Sequence, residues 1–154
     1  MADLEKLHIK LGLSGTYWGK RPQYSVSFNN QLIKSSEISV DSDVVEYIEF
    51  DAVCDTDSAV LKIEFLNKNN EDTVQDDAQT TILKDMLLNI VSLEVDDIDL
   101  GQLPYSHGVY NTNEVVSWDG ADTQSITNCV NLGWNGAWTL TWTNPFYIWL
   151  LENM

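Results

Sequence analysis

The sequence predicts an all-β fold, a jelly-roll-like antiparallel β-sandwich of about eight to ten short strands, with residues 1–154 forming one domain. Three observations carry this reading. Apolar and polar side chains alternate with a period of two in one segment after another. No segment sustains a helical period, although one turn of helix fits Thr80 to Leu88. Turn-forming residues separate the alternating runs.

The first run places Leu7, Ile9, Leu11 and Leu13 on one face, with Lys6, His8 and Lys10 on the other. A loop over Ser14 to Lys20 follows. Tyr24, Val26 and Phe28 then alternate with polar residues and end at Asn29-Asn30, a dipeptide that tolerates positive φ and suits a hairpin back through Gln31 to Ile33. Val44 to Phe50 is apolar on much of both faces, and Leu61, Ile63 and Phe65 form the next strand. The most polar stretch is read as a long exposed loop over residues 67–81. Leu88 to Val95 returns to strand, extended by Ile98 and Leu100. Weak periodicity and several turn formers mark a second long loop over 101–122. Trp138, Leu140 and Trp142 alternate with threonines; after the Asn144-Pro145 turn signal, Phe146, Ile148 and Leu150 read as either a terminal core strand or an exposed aromatic contact.

Charge narrows the function. The chain carries 24 acidic against 8 basic residues, a net charge of −16. Nucleic acid and anionic membrane are excluded as partners, because their phosphates need Lys and Arg to neutralise them. The acids serve either solubility or the binding of a hard divalent cation such as calcium. Cys54 and Cys129 are read as two buried strand thiols; a disulfide between them requires export, and no secretory signal is visible at the N-terminus.

A catalytic constellation is not recognisable. His8 lies on a polar strand face, His107 has no nucleophile with activating neighbours, and phosphate-binding and zinc motifs are absent. The protein is therefore expected not to be an enzyme. The pairs Asp41/Asp43, Asp55/Asp57 and Asp97/Asp99 do not continue into an EF-hand frame and read as solvated turns. The better metal candidate is the polar loop, where Asn67, Asp72, Asp76, Asp77 and Asp85 offer oxygen ligands. Candidate contacts for a sugar ring or a partner protein are Trp18, Tyr105, Tyr110, Trp118 and Trp134, while Trp138 and Trp142 belong to the core.

Two resemblances sharpen these expectations. Phe65-Leu66-Asn67-Lys68, the polar loop, Asp85-Met86-Leu87-Leu88 and Val95-Asp96 resemble the segments framing the calcium loop of calcium-dependent xylan-binding modules, which are jelly-roll sandwiches. Asn67 and Asp85 match that pattern; Lys68 stands where the family has an acid, and Met86-Leu87 replace Arg-Asn. The chain also resembles small virion-type proteins of tailed marine and cyanobacterial phages. That likeness runs through Ser14-Gly15-Thr16-Tyr17-Trp18 with Arg21-Pro22, Asp85 to Ile90, and the ending Asn131 to Gly136 and Pro145 to Asn153. It implies a virion structural protein made in the host cytoplasm, decorating the capsid or belonging to the tail or fibre, with other virion proteins or further copies of itself as partners. The alternative is a calcium-dependent carbohydrate-binding module that holds a host surface glycan.

Overall fold

A computed structural model describes residues 5–78 and 81–154. Two antiparallel sheets pack face to face around one apolar cluster. The first is built on the long strand β1 (Glu5–Thr16), whose Leu7, Ile9, Leu11 and Leu13 are all buried, as the alternation predicts. β1 pairs on one side with β4 (Glu46–Cys54) and on the other with β8 (Leu87–Val95), which also holds the short β9 (Ile98–Asp99) and β12 (Asn131–Leu132).

The second sheet has the order β11-β10-β13-β5-β2-β3: β11 (Ala121–Thr127), β10 (Val109–Trp118), β13 (Gly136–Thr143), β5 (Ser58–Phe65), β2 (Gln23–Phe28) and β3 (Gln31–Glu37). Its inner face supplies Tyr24, Val26, Phe28, Leu61, Ile63, Phe65, Trp138, Leu140 and Trp142, all buried. The hairpin at Asn29-Asn30 forms as expected, with φ of 48° and 66°. Asp96-Asp97 and Asp119-Gly120 make further turns with positive φ.

The strand count is thirteen among the described residues, above the expected eight to ten, because several are two- or three-residue pairings that carry no readable alternation. The expected loop over 67–81 contains a 3₁₀ turn (Asn70–Asp72) and β6 (Val74–Gln75), which pairs with β7 (Ile82–Lys84) as a separate ribbon. No helix forms at 81–88; Thr80 lies outside the described residues. The expected loop over 101–122 is largely ordered too: α1 (Leu103–His107) leads into β10 and the turn to β11. This hairpin lies at the sheet edge, so only Tyr110, Thr112 and Ile126 turn fully inward, and the alternation is too sparse to read.

The segment after Pro145 is a helix, α2 (Phe146–Asn153), not a strand. Phe146, Trp149 and Leu150 are buried at i, i+3 and i+4, while Ile148 is exposed. Six consecutive apolar residues fit either period, and the Glu5 carboxylate settles the choice by accepting the first helical N–H, that of Phe146, at 3.0 Å. Cys54 closes β4, whereas Cys129 lies in the loop before β12, not in a strand; both are free and buried. Among the described residues no helix is long and apolar enough to cross a membrane.

Candidate functional site

Strands β5, β10 and β13 come together where Gly136 sits opposite Phe65 on one side and Thr112 on the other. Just beyond this point the three strands lose their regular pairing. The loop after β5, the turn Gly133–Asn135 before β13, and a bulged stretch of β10 open around a polar cleft of about 420 Å³. The pairing of β10 with β11 is interrupted between Asn111 and Val116, which pushes Asn113 and Glu114 out as one rim. Asn69, Asn70 and Thr73 form the opposite rim, and Trp134 stands in the wall.

The wall is locked from beneath. The Tyr110 hydroxyl donates to the Trp134 carbonyl and accepts the Trp134 N–H at 3.0 Å, so a core side chain fixes the tryptophan backbone twice. The Trp134 ring meets Trp118 edge to face, with centroids 6.2 Å apart. Asn135 makes a two-pronged bridge to the backbone of Lys68, accepting its N–H at 2.7 Å and donating to its carbonyl at 2.9 Å. These bonds hold the two sides of the cleft at a fixed separation. Trp118 also borders a second, shallower groove of about 550 Å³ shared with Tyr105 and Asn128.

The aromatic candidates thus divide. Trp134 lines the cleft with Trp118 packed on its ring, and Tyr105 is exposed at the neighbouring groove that Trp118 borders. Tyr110 is fully buried and is a core anchor, not a contact; its position on an apparently irregular stretch hid the strand that turns it inward. Trp18 is half exposed but committed: its indole N–H donates to the Asp72 carbonyl at 2.9 Å, and the Lys84 ammonium lies 5.1 Å from its ring. Asn69, Asn70, Thr73, Asn113 and Glu114 were not singled out in the sequence, because nothing in it shows that two loops separated by some forty positions share a cleft.

The five oxygen ligands proposed for calcium are not gathered at one point. Both ends of the Asn67 amide are used on backbone, accepting from Gln23 N at 2.8 Å and donating to the Arg21 carbonyl at 2.9 Å. Asp76 closes the β6–β7 ribbon, accepting the Thr81 N–H at 3.3 Å, and Asp77 is exposed. Asp72 is buried; its carboxylate accepts the Asn69 N–H at 2.7 Å and meets the Lys20 ammonium at 3.1 Å. Asp85 receives the Lys68 ammonium and the Thr73 hydroxyl, each at 2.7 Å, and the Met86 N–H at 2.8 Å, all on one oxygen. Among the described residues no three acidic, histidine or cysteine side chains lie close enough to share a metal ion. Calcium requires six to eight oxygens at about 2.3–2.6 Å, and with the Lys68 and Lys20 ammonium groups seated on Asp85 and Asp72 this donor set does not offer them.

Burial by itself would raise the pKa of Asp85, but the bonds from Lys68, Thr73 and Met86, with the Lys68 charge, hold it below its ordinary 3.8. Glu46 behaves alike: burial pushes upward, and bonds from Ser39, through hydroxyl and N–H, and from the Tyr24 hydroxyl carry it below 4.5. A carboxyl with a depressed folded pKa contributes stability above its unfolded pKa and loses it as pH falls through the folded one. Thermal stability is therefore expected to drop from about pH 4 downward. Denaturation curves of Asp85→Asn should show a shallower acid limb than those of the wild type.

The remaining candidates have structural partners. His8 contacts Asp51 at 2.8 Å and Glu49 at 3.5 Å across β4, and hydrogen bonds to these two acids raise its pKa. His107 contacts the neighbouring Ser106 at 2.8 Å and Asn153 of α2 at 3.1 Å, a tie between the two helices. Of the Asp-x-Asp residues, Asp99 accepts the Gly101 N–H at 2.8 Å within its turn, whereas Asp43 accepts from Thr16 of β1 at 2.6 Å and ties its loop to that strand.

The two-sheet sandwich is similar in fold to solved structures of carbohydrate-binding modules. vCBM60 in complex with galactobiose superposes with a TM-score of 0.53 over 86% of this chain and 96% of its own, at 10% identity. A selenomethionine form of vCBM60, described in connection with circular permutation between two families of calcium-dependent carbohydrate-binding modules, gives 0.53 over 87% and 89%, at 12% identity. At such identities the likeness is one of fold. No protein-family model matches the chain, and no curated protein matches it in sequence.

Proposed function

We propose that this protein is a non-catalytic carbohydrate-binding module that holds a neutral glycan in the cleft beside Trp134. The observation that carries the reading is the cleft itself, of about 420 Å³, with an indole fixed in its wall and exposed Asn70, Asn113 and Glu114 on its rims. A sugar ring is amphipathic in the same way: its C–H faces pack on an aromatic surface, and its hydroxyls exchange hydrogen bonds with amides and carboxylates. Because Tyr110, Trp118 and Asn135 already hold the walls, little ordering remains to oppose binding. Neutral sugars fit better than acidic ones. The chain carries a net charge of −16, and Lys68, a cation that lines the cleft, is already bound to Asp85.

A glycan array followed by calorimetry tests this. Saturable binding of a neutral oligosaccharide is expected, with Trp134→Ala weakening it about tenfold or more, equivalent to roughly 1.4 kcal/mol. Silence across the array, or an unaffected Trp134→Ala, would remove the assignment.

A second reading has its own observation. α2 presents Tyr147, Ile148 and Leu151 to solvent, with Leu151 74% exposed, a patch suited to docking on a larger assembly. Taking this patch together with the likeness of the sequence to small virion-type phage proteins, we infer a virion component that displays the glycan cleft outward. Mass spectrometry of purified particles that fails to find the chain would eliminate this placement.

A further inference from the structure

The segments framing the cleft base carry two carboxylates, Asp72 and Asp85, and each is met by an ammonium group. The Lys68 Nζ lies 2.7 Å from Asp85 Oδ1 and 2.7 Å from the Met86 carbonyl oxygen. The Lys20 Nζ lies 3.1 Å from Asp72 Oδ2, and with the Asn69 amide turned to face it, 2.7 Å from that amide oxygen. Carboxylate, backbone carbonyl and side-chain amide oxygens are the donor types that a hard divalent cation collects. Here a tethered ammonium collects them, one N–H for each oxygen. The Lys68 side chain is only 9% exposed, so its charge is enclosed with its partners and not left on a flexible surface arm.

We propose that Lys68, seconded by Lys20, takes the part of a bound cation in this chain, so that the cleft base is held together without calcium. The vCBM60 structure is described in connection with two families of calcium-dependent carbohydrate-binding modules; this chain carries a positive charge at its cleft base covalently, on Lys68. Three physical points favour this over a metal that coexists with the lysine. A divalent ion on Asp85 would have to displace the ammonium and then lie within a few ångströms of it, at a large Coulomb cost. The oxygen facing Lys68 already accepts from Thr73 and Met86, which leaves it poorly placed for a further ligand bond. The ammonium also joins the start of the polar loop, at Lys68, to its end, at Asp85 and Met86, the loop closure that a metal clip would otherwise supply. The inference concerns the scaffold of the cleft and stands whatever ligand the cleft takes.

The test is thermal unfolding of the full chain with millimolar calcium or with excess chelator at matched ionic strength. Wild-type Tm is expected to be the same in both. Lys68→Ala should lower Tm by about 5 °C, since it leaves Asp85 charged without its partner. Calcium, but not added sodium, should recover part of that loss by entering the vacated position. Lys68→Arg, which keeps a cation, should lose less than Lys68→Ala. A wild-type Tm that falls on chelation, a Lys68→Ala protein as stable as wild type, or a deficit that calcium leaves untouched would each overturn the proposal. Should Lys68→Ala not fold, calorimetric titration of the wild type decides alone: no heat of calcium binding supports it, and a saturable heat overturns it.

Discussion

Gly136→Ala is expected to destabilise the fold by about 3 kcal/mol and to abolish glycan binding with it. A methyl group at this position would lie 2.4 Å from the Asn111 carbonyl oxygen and 2.7 Å from the Thr112 Cα. Both are backbone atoms of the neighbouring strand, so no side-chain rotation relieves the contact. β10 and β13 must separate, and they part where β10 turns out to form the Asn113–Glu114 rim. The bond from Asn113 N to the Asn135 carbonyl, 2.9 Å long, is adjacent and should break with them. Urea denaturation gives the stability and calorimetry the affinity. A variant as stable as wild type would mean that the two strands tolerate a wider spacing than the structure has.

The second large effect belongs to the other end of the sandwich. Trp142→Ala is expected to cost about 3–5 kcal/mol. The Trp142 ring is buried between the sheet and α2, with centroid distances of 5.9 Å to Phe28, 5.5 Å to Phe146 and 6.3 Å to Trp149. Removing it leaves a void that three other aromatic rings line, and it releases α2 from the core. The cleft lies on the far end of β13, so a folded Trp142→Ala protein should keep its glycan affinity while losing stability. Loss of both together would show that the two ends are more tightly coupled than their separation along β13 implies.

The contrast between these two positions shows what the sequence could convey. Trp138, Leu140 and Trp142 sit on an alternating run, and their burial was legible directly, as was that of Leu7 to Leu13 and Tyr24 to Phe28. The pattern failed where a strand has only a few inward residues. β10 buries Tyr110 and Thr112 and then bulges, so it read as a loop, and Tyr110 was taken for an exposed contact. It failed again at Phe146–Leu151, where uninterrupted apolar residues suit both periods and the decisive cap comes from Glu5, at the opposite end of the chain. Metal expectations misled for a related reason. A run of oxygen-bearing side chains says nothing about which lysine will reach into it, and Lys68 and Lys20 are the residues that decide the chemistry of that loop. Of the cleft, Trp134 and the Trp118 packed on it were legible because a glycine-flanked indole and an indole in a turn-rich stretch are unusual. The amides and Glu114 opposite them were not, since only the sheet order brings residues 69–73 and 113–116 face to face.

The most direct test of the account is a two-dimensional NMR titration of the isotope-labelled protein with a neutral oligosaccharide, in the presence of chelator. Saturable shifts centred on the Trp134 indole and on Asn70, Asn113 and Glu114, with α2 unmoved, are the predicted result. Spectra that stay unchanged at every sugar concentration, or shifts that cluster on Ile148 and Leu151 instead, would contradict it.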